Sequence, residues 1–233
     1  MFLENSTMNE KELKEMVLSR GPYDQEENLR IYGKFFKDWS VKHTYIHKKF
    51  KIDESLRILD IGCGPGHNLV HFNPESLGIE INDYLANFGK SLGLNILEIN
   101  AEDNWPEING KFDLIWCTDF LIHLVSPFRF LFKIKKYLKE DGKIVIQIPQ
   151  PSILKTHLSP EHFYALNKVS LTYLLEAAGY KTTGYSGYIR RLPNWLNAVL
   201  EPLLQKFGAN IWILAEKNNS SIITNKSFLP SWF

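Results

Sequence analysis

The chain has 233 residues, 44% of them apolar and 23% charged, and its 27 basic against 26 acidic side chains leave a formal charge of +1. That balance suits one α/β domain with an appendage, able to bury roughly 70% of its unfolded surface, and it asks for no nucleic-acid partner, the lysines at 133, 135, 136 and 139 reading as a solvated helix face. Cys63 and Cys117 form neither a CxxC pair nor a secreted disulfide framework, and neither a signal peptide nor a stretch of about 18 apolar residues is present, so a cytoplasmic protein with no stable membrane insertion is expected.

In chain order, Thr7 and Glu10 form a capping box that predicts a helix from Met8 to Leu18, broken by Gly21-Pro22. From Asp24 to Phe50 the apolar positions Leu29, Tyr32, Phe35, Phe36, Trp39 and Ile46 recur at helical spacing, completing an N-terminal helical cap over residues 1–55. His43 and His47 share a helix face there, but no third ligand accompanies them, so they read as surface histidines rather than a metal site. At Leu56 the pattern changes. The runs RILDI, LGIEI, LNILEI, FDLIWC and KIVIQI alternate with helical segments, which predicts a parallel, doubly wound α/β sheet over residues 56–216.

Short helical promise follows the first run at His67 to Phe72, and Ser126-Pro127 opens a helix over Phe128 to Leu138 that Asp141-Gly142 should close. An irregular insertion covers about 149–170. A helix from Ser170 to Ala178 ends at Gly179, and Tyr180 to Tyr188 and Asn210 to Glu216 read as the last strands. The apolar segment Leu192 to Leu204 should pack on the sheet, and the tail over 217–233, whose apolar Phe228, Trp232 and Phe233 suit docking on the domain or on a second subunit, leaves a homodimer open.

The most informative segment is Arg57 to Gly66, a buried strand that enters the turn Gly62-Cys63-Gly64-Pro65-Gly66. Glycines at a strand's C-terminal end let the backbone turn sharply and approach a ligand closely, in the crevice beyond the strand ends. A dinucleotide fingerprint would need glycine at position 67, where the chain has His67, so an NAD-type oxidoreductase is disfavoured.

The spacing D-x-G-x-G-x-G, starting at Asp60, instead resembles motif I of the class I S-adenosylmethionine-dependent methyltransferases, and the likeness runs from about Leu56 to Glu216. The resemblance implies a Rossmann-like, mostly parallel seven-stranded sheet with an antiparallel last strand, and S-adenosylmethionine as cofactor. It implies cofactor-binding roles for Asp60, Gly62, Gly64 and Gly66 in the loop, with Asp60 facing the methionine ammonium. Glu80, twenty residues on, would take the ribose hydroxyls and Ile81 would pack on adenine. Asn100, Ala101 and Glu102 stand where the family often carries D-A-E-D at the adenine, Asn100 replacing the usual aspartate, and Cys117 falls at the fourth strand's exit.

The run from Phe112 to Leu124 resembles the family's F-D-x-V-x-S-x-E-V-L-E-H-V, with Asp119 and His123 in place and Ile122 replacing a glutamate. Methyl transfer to a hydroxyl requires removal of its proton, which makes His123 the first candidate base. His162, in a stretch similar to the E-H…S-x-x-x-L-L-E-x-A-G-F of a broad small-molecule subfamily, is the second. These readings predict transfer to a small-molecule or glycan-like acceptor at oxygen, without a metal; the alternative is a non-catalytic S-adenosylmethionine-binding or regulatory protein. A nucleic-acid methyltransferase is disfavoured, because Pro149-Gln150-Pro151 does not make the tetrapeptide that holds a flipped base.

Overall fold

A computed structural model describes residues 25–36, 45–152, 157–189 and 192–218. The expected helix from Met8 to Leu18, Trp39, His43 and the tail beyond Asn218 lie outside the described residues. In chain order the elements are α1 (Gln25–Lys34), α2 (Tyr45–Phe50), β1 (Ile58–Ile61), β2 (Leu77–Glu80), α3 (Asp83–Ser91), β3 (Ile96–Glu98), β4 (Phe112–Thr118), α4 (Pro127–Ile134), β5 (Leu138–Pro149), α5 (Lys168–Ala177), β6 (Tyr180–Ser186), α6 (Asn194–Phe207) and β7 (Asn210–Lys217).

The seven strands form one sheet in the order β3-β2-β1-β4-β5-β7-β6. The pairs among β1 to β5 are parallel, whereas β7 inserts antiparallel between β5 and β6. The alternating runs predict the parallel part, and the antiparallel last strand is the one the resemblance to the methyltransferases implies. Strand order reverses between β1 and β4, so the crevice for a ligand opens beyond their C-terminal ends.

All four residues of β1 are buried, as a strand covered on both faces requires. Alternation along β4 and β5 divides the core in two. On one face Ile115, Cys117, Ile144 and Ile146 pack with Phe130, Leu131 and Ile134 of α4 and with Leu171 and Leu175 of α5. On the other, Leu114, Trp116 and Val145 pack with Ile46 and Phe50 of α2. Each such fully buried side chain contributes about 1.5–3 kcal/mol. A smaller cluster joins the N-terminal segment to α3 through Tyr32, Phe36, Phe88 and Leu92, with the Tyr32 and Phe88 rings stacked at 3.7 Å.

Several boundaries depart from the sequence reading. Helix α4 stops at Ile134, a single 3-10 turn covers Lys135–Tyr137, and β5 begins at Leu138, so Asp141-Gly142 lies inside a strand instead of closing a helix. Leu138 pairs with Phe112 while Lys143 pairs with Leu114, which leaves a bulge in β5. There a Cβ on Gly142 would lie 3.0 Å from the Lys139 backbone. The burial of Leu138 and its pairing with β4 outweigh the local turn signal. After the glycine turn only the 3-10 turn Leu69–His71 forms. His47 is not a free surface group, since its ring lies 5.9 Å from Phe72 and 5.7 Å from Trp116.

Helix α6 is tied down by Asn197, whose side chain bonds both backbone groups of Ile189 and the Leu192 carbonyl, and by Glu201, which meets Tyr45 and Lys49. Its opposite face leaves Trp195, Val199, Leu203 and Phe207 exposed at four-residue steps, so the expected packing on the sheet holds for one face only. Among the described residues no helix is long and apolar enough to cross a membrane.

Gly78 sets how closely β2 can approach the turn, since a Cβ there would lie 2.5 Å from Cys63 Sγ and 2.7 Å from Leu69 Cδ1. Gly78→Ala is therefore expected to lower stability by about 1–3 kcal/mol, read from the midpoint of urea unfolding; an unchanged midpoint would show that the turn yields freely.

Candidate functional site

The turn after β1 is built on glycines in the left-handed region, with φ of +69° at Gly62, +57° at Gly64 and +81° at Gly66. At Gly62 space is lacking as well, because a Cβ would fall 2.5 Å from the Phe120 ring. The amides of Gly62 and Cys63 both donate to the Ile79 carbonyl, at 2.8 and 3.1 Å, and so fasten the turn to β2. The Gly64 amide donates to Glu80 Oε2 at 2.9 Å.

Glu80 Oε1 accepts from the amides of Ile81 and Asn82 at 2.9 and 2.8 Å. Its buried carboxylate is thereby held rigidly, while Oε2, with a single partner, can still accept a further bond. Beside it, Ile81 is 64% exposed, a large apolar side chain with nothing on it.

Asp60 presents the opposite condition. It is 1% exposed, and among the described residues Oδ2 has no hydrogen-bond partner. Burial, and secondarily the charge of Glu80, holds its carboxyl well above the usual carboxylate range. Such a group suits a cationic ligand, which would supply the missing partner and favour the charged form.

The third segment sits next to β2 because the Ile99 amide donates to the Glu80 carbonyl at 2.9 Å. Asn100 Oδ1 accepts from the Glu102 amide at 2.9 Å. Ala101 is buried, and its carbonyl accepts from Trp105 Nε1 and Lys133 Nζ. Glu102 has a task that sequence reasoning missed: its carboxylate accepts from the amides of Val125 and Ser126 at 3.0 and 2.8 Å, at the entry to α4. Ser126 itself makes no side-chain cap. Cys117 pairs with Ile61 in the sheet and is fully buried, its thiol pushed up chiefly by burial.

Beyond β4 the chain turns at Asp119, which has a φ of +52°, and the Asp119 amide donates to the Gln147 carbonyl. The two histidines singled out in the sequence meet here, with ring centroids 4.9 Å apart in an edge-on arrangement. His123 Nδ1 lies 3.0 Å from the Glu161 carbonyl oxygen, and His162 Nδ1 lies 3.3 Å from that of His157. A carbonyl can only accept, so each Nδ1 carries a proton, and in the neutral ring the lone pair falls to Nε2. The segment carrying His162 is held against β4's exit by the Phe163 amide on the Ile122 carbonyl and the Tyr164 hydroxyl on the Val125 carbonyl. Burial raises the Asp119 carboxyl, and the two histidines oppose that shift.

The glycine turn and the histidine pair thus follow adjacent strands, with Phe120 touching Gly62 between them. His67 is a second residue the sequence reading underused: it noted only that glycine was missing there, yet the ring is buried at the end of the turn with Nδ1 unpartnered. No group of three metal-ligating side chains occurs among the described residues.

Residues 34–184 match a family model described as a methyltransferase domain. A protein of Helicobacter acinonychis called tRNA U34 carboxymethyltransferase is 25% identical over 186 residues, covering 72% of this chain and 70% of its own. One of the same name from Hydrogenovibrio crunogenus is 27% identical over 189 residues, covering 71% of this chain but 56% of its own length. Among solved structures, an S-adenosylmethionine-dependent methyltransferase from Archaeoglobus fulgidus superposes with a TM-score of 0.55 at 20% identity, covering 74% of this chain and 91% of that one.

The names of these relatives overturn two expectations, the small-molecule or glycan-like acceptor and the absence of a nucleic-acid partner. Composition misled because net charge averages over the whole surface, whereas a recognised nucleotide needs only a local patch. The loop spacing and the cofactor stand as read. The chain belongs to the methyltransferase-domain family, as an S-adenosylmethionine-dependent enzyme of that kind.

Proposed function

We propose that the chain transfers a methyl-type group from the sulfonium of S-adenosylmethionine to a base of tRNA, in the cytoplasm. The observation that carries this reading is the alignment of 72% of the chain with a protein named for a reaction at tRNA U34. On this reading residues 1–55 form a cap, 56–216 the catalytic domain with an acceptor-side insertion at about 149–170, and 217–233 a tail.

Asp60, with its orphaned buried oxygen, would hold the methionine ammonium. The left-handed backbone at Gly62, Gly64 and Gly66 shapes the turn against which the amino-acid portion would lie. Glu80 would accept from the ribose hydroxyls, and exposed Ile81 would be covered by adenine. Asn100, Ala101 and Glu102 would line the adenine edge over a floor that includes Cys117, the carboxylate of Glu102 acting through its hold on Val125 and Ser126.

Bound there, the cofactor would supply an activated, sulfonium-bound carbon and a thioether leaving group. The residues of the chain supply alignment, which contributes up to roughly 7–11 kcal/mol, and a place for the acceptor's proton. We assign that place to His123 Nε2, whose lone pair is set free by the Nδ1 contact with Glu161. His162 lies edge-on to it, and Asp119 opposes the positive charge that His123 acquires.

With labelled S-adenosylmethionine, the purified chain is expected to mark tRNA, and His123→Ala to lower kcat by about 10²–10⁴-fold while S-adenosylhomocysteine binds as before. Unlabelled tRNA would remove the acceptor, and an undiminished kcat would remove the base.

Asp60 yields a pH test. Its raised pKa means that the folded chain keeps a proton the unfolded chain gives up, so this group costs stability increasingly as pH rises from about 4 toward the folded-state value. Asp60→Asn should melt above wild type at pH 7, the gap closing as pH falls toward about 4, and should bind S-adenosylhomocysteine more weakly. A variant that melts lower at pH 7 would contradict the orphaned state of the carboxyl.

A further inference from the structure

Two buried polar atoms flank the glycine turn without partners among the described residues, Asp60 Oδ2 before it and His67 Nδ1 after it. His67 is 8% exposed, enclosed by Phe35 and Phe36 with ring centroids 5.7 and 6.5 Å away. The Asn68 carboxamide nitrogen lies 3.4 Å from His67 Nε2. An amide nitrogen can only donate, so Nε2 is the acceptor and the neutral ring carries its proton on Nδ1. Burial lowers the ring's pKa to about 4, which keeps it neutral at physiological pH.

The Nδ1–H is consequently a buried donor with no acceptor, and it faces the turn: a Cβ placed on Gly64 would lie 3.6 Å from Nδ1 and 3.7 Å from Cε1. Leaving such a group unsatisfied is unfavourable, and its persistence calls for an explanation. A donor on one side of the turn and an acceptor on the other match a zwitterion, the carboxylate and ammonium of an α-amino acid.

We propose that His67 binds the cofactor's methionine carboxylate through Nδ1–H, complementing Asp60 at the ammonium. This rests on the cofactor placement given above. His67 is then a binding residue that selects ligands carrying a carboxylate, and Phe35 and Phe36 fix its ring.

The test compares, by calorimetry, S-adenosylhomocysteine with 5′-methylthioadenosine, which shares the nucleoside but lacks the amino acid. His67→Phe, which keeps an aromatic ring between Phe35 and Phe36, should weaken the first about tenfold or more and leave the second unchanged, without lowering the melting temperature of the ligand-free chain. His67→Asn, whose amide can occupy the place of Nδ1, should restore much of the loss. Nitrogen-15 spectra of the His67 ring should show the Nδ1–H form before ligand is added and a shift with S-adenosylhomocysteine only. Equal weakening of both ligands, or none, overturns the assignment of His67 while leaving the cofactor site standing. Failure of the wild-type chain to bind either ligand overturns the cofactor placement and His67 with it.

Discussion

The Glu80 carboxylate is the tie on which the cradle depends. It stands at the end of β2 and accepts from the amides of Gly64, Ile81 and Asn82, joining the turn after β1 to the start of α3. A carboxylate this deeply buried is tolerable because charged acceptors make strong bonds with backbone donors, and those donors would otherwise be left open by the turn. The three left-handed glycines bring the Gly64 amide to it, and the Ile99 amide brings β3 alongside.

Against that tie, the neighbouring acid shows how environment divides like groups. Glu80 already accepts three backbone amides before any ligand arrives, so its carboxylate is fixed in place. Asp60, packed beneath the same turn, lacks a partner and keeps its charge suppressed by burial. The histidine pair beyond β4 is a third kind of arrangement, in which the Glu161 and His157 carbonyls each take the Nδ1 of one ring. Rigid strands place all three groups, and the irregular segments give them their partners.

The sequence was most legible where pattern and packing agree. ILDI, LGIE and FDLIWCT are strands in the places their apolar runs predict, and the glycine spacing located the turn to the residue. Asp141-Gly142 misled because a local stop signal lost to the pairing of Leu138 with Phe112, a contact 26 positions away in the chain. Glu102 was read for its place beside adenine, whereas its two amide partners lie more than twenty positions on and leave no periodic trace. The acceptor was least legible, since the segments that shape an acceptor pocket are not governed by the fold.

The cradle also contains its own reporters of motion. Cys63 lies inside the turn and Cys117 beneath it in β4, both buried, and burial holds both thiols above their ordinary range. Only the exposed thiolate reacts with alkylating reagents, so each sulfur is silent while its surroundings stay closed. Their rates of modification therefore act as two clocks on one molecule. Cys63 measures how often the turn lifts from β2, and Cys117 how often the central sheet itself comes apart. Ligand that seals the turn slows the first clock more than the second, which separates local breathing from global unfolding without any added label.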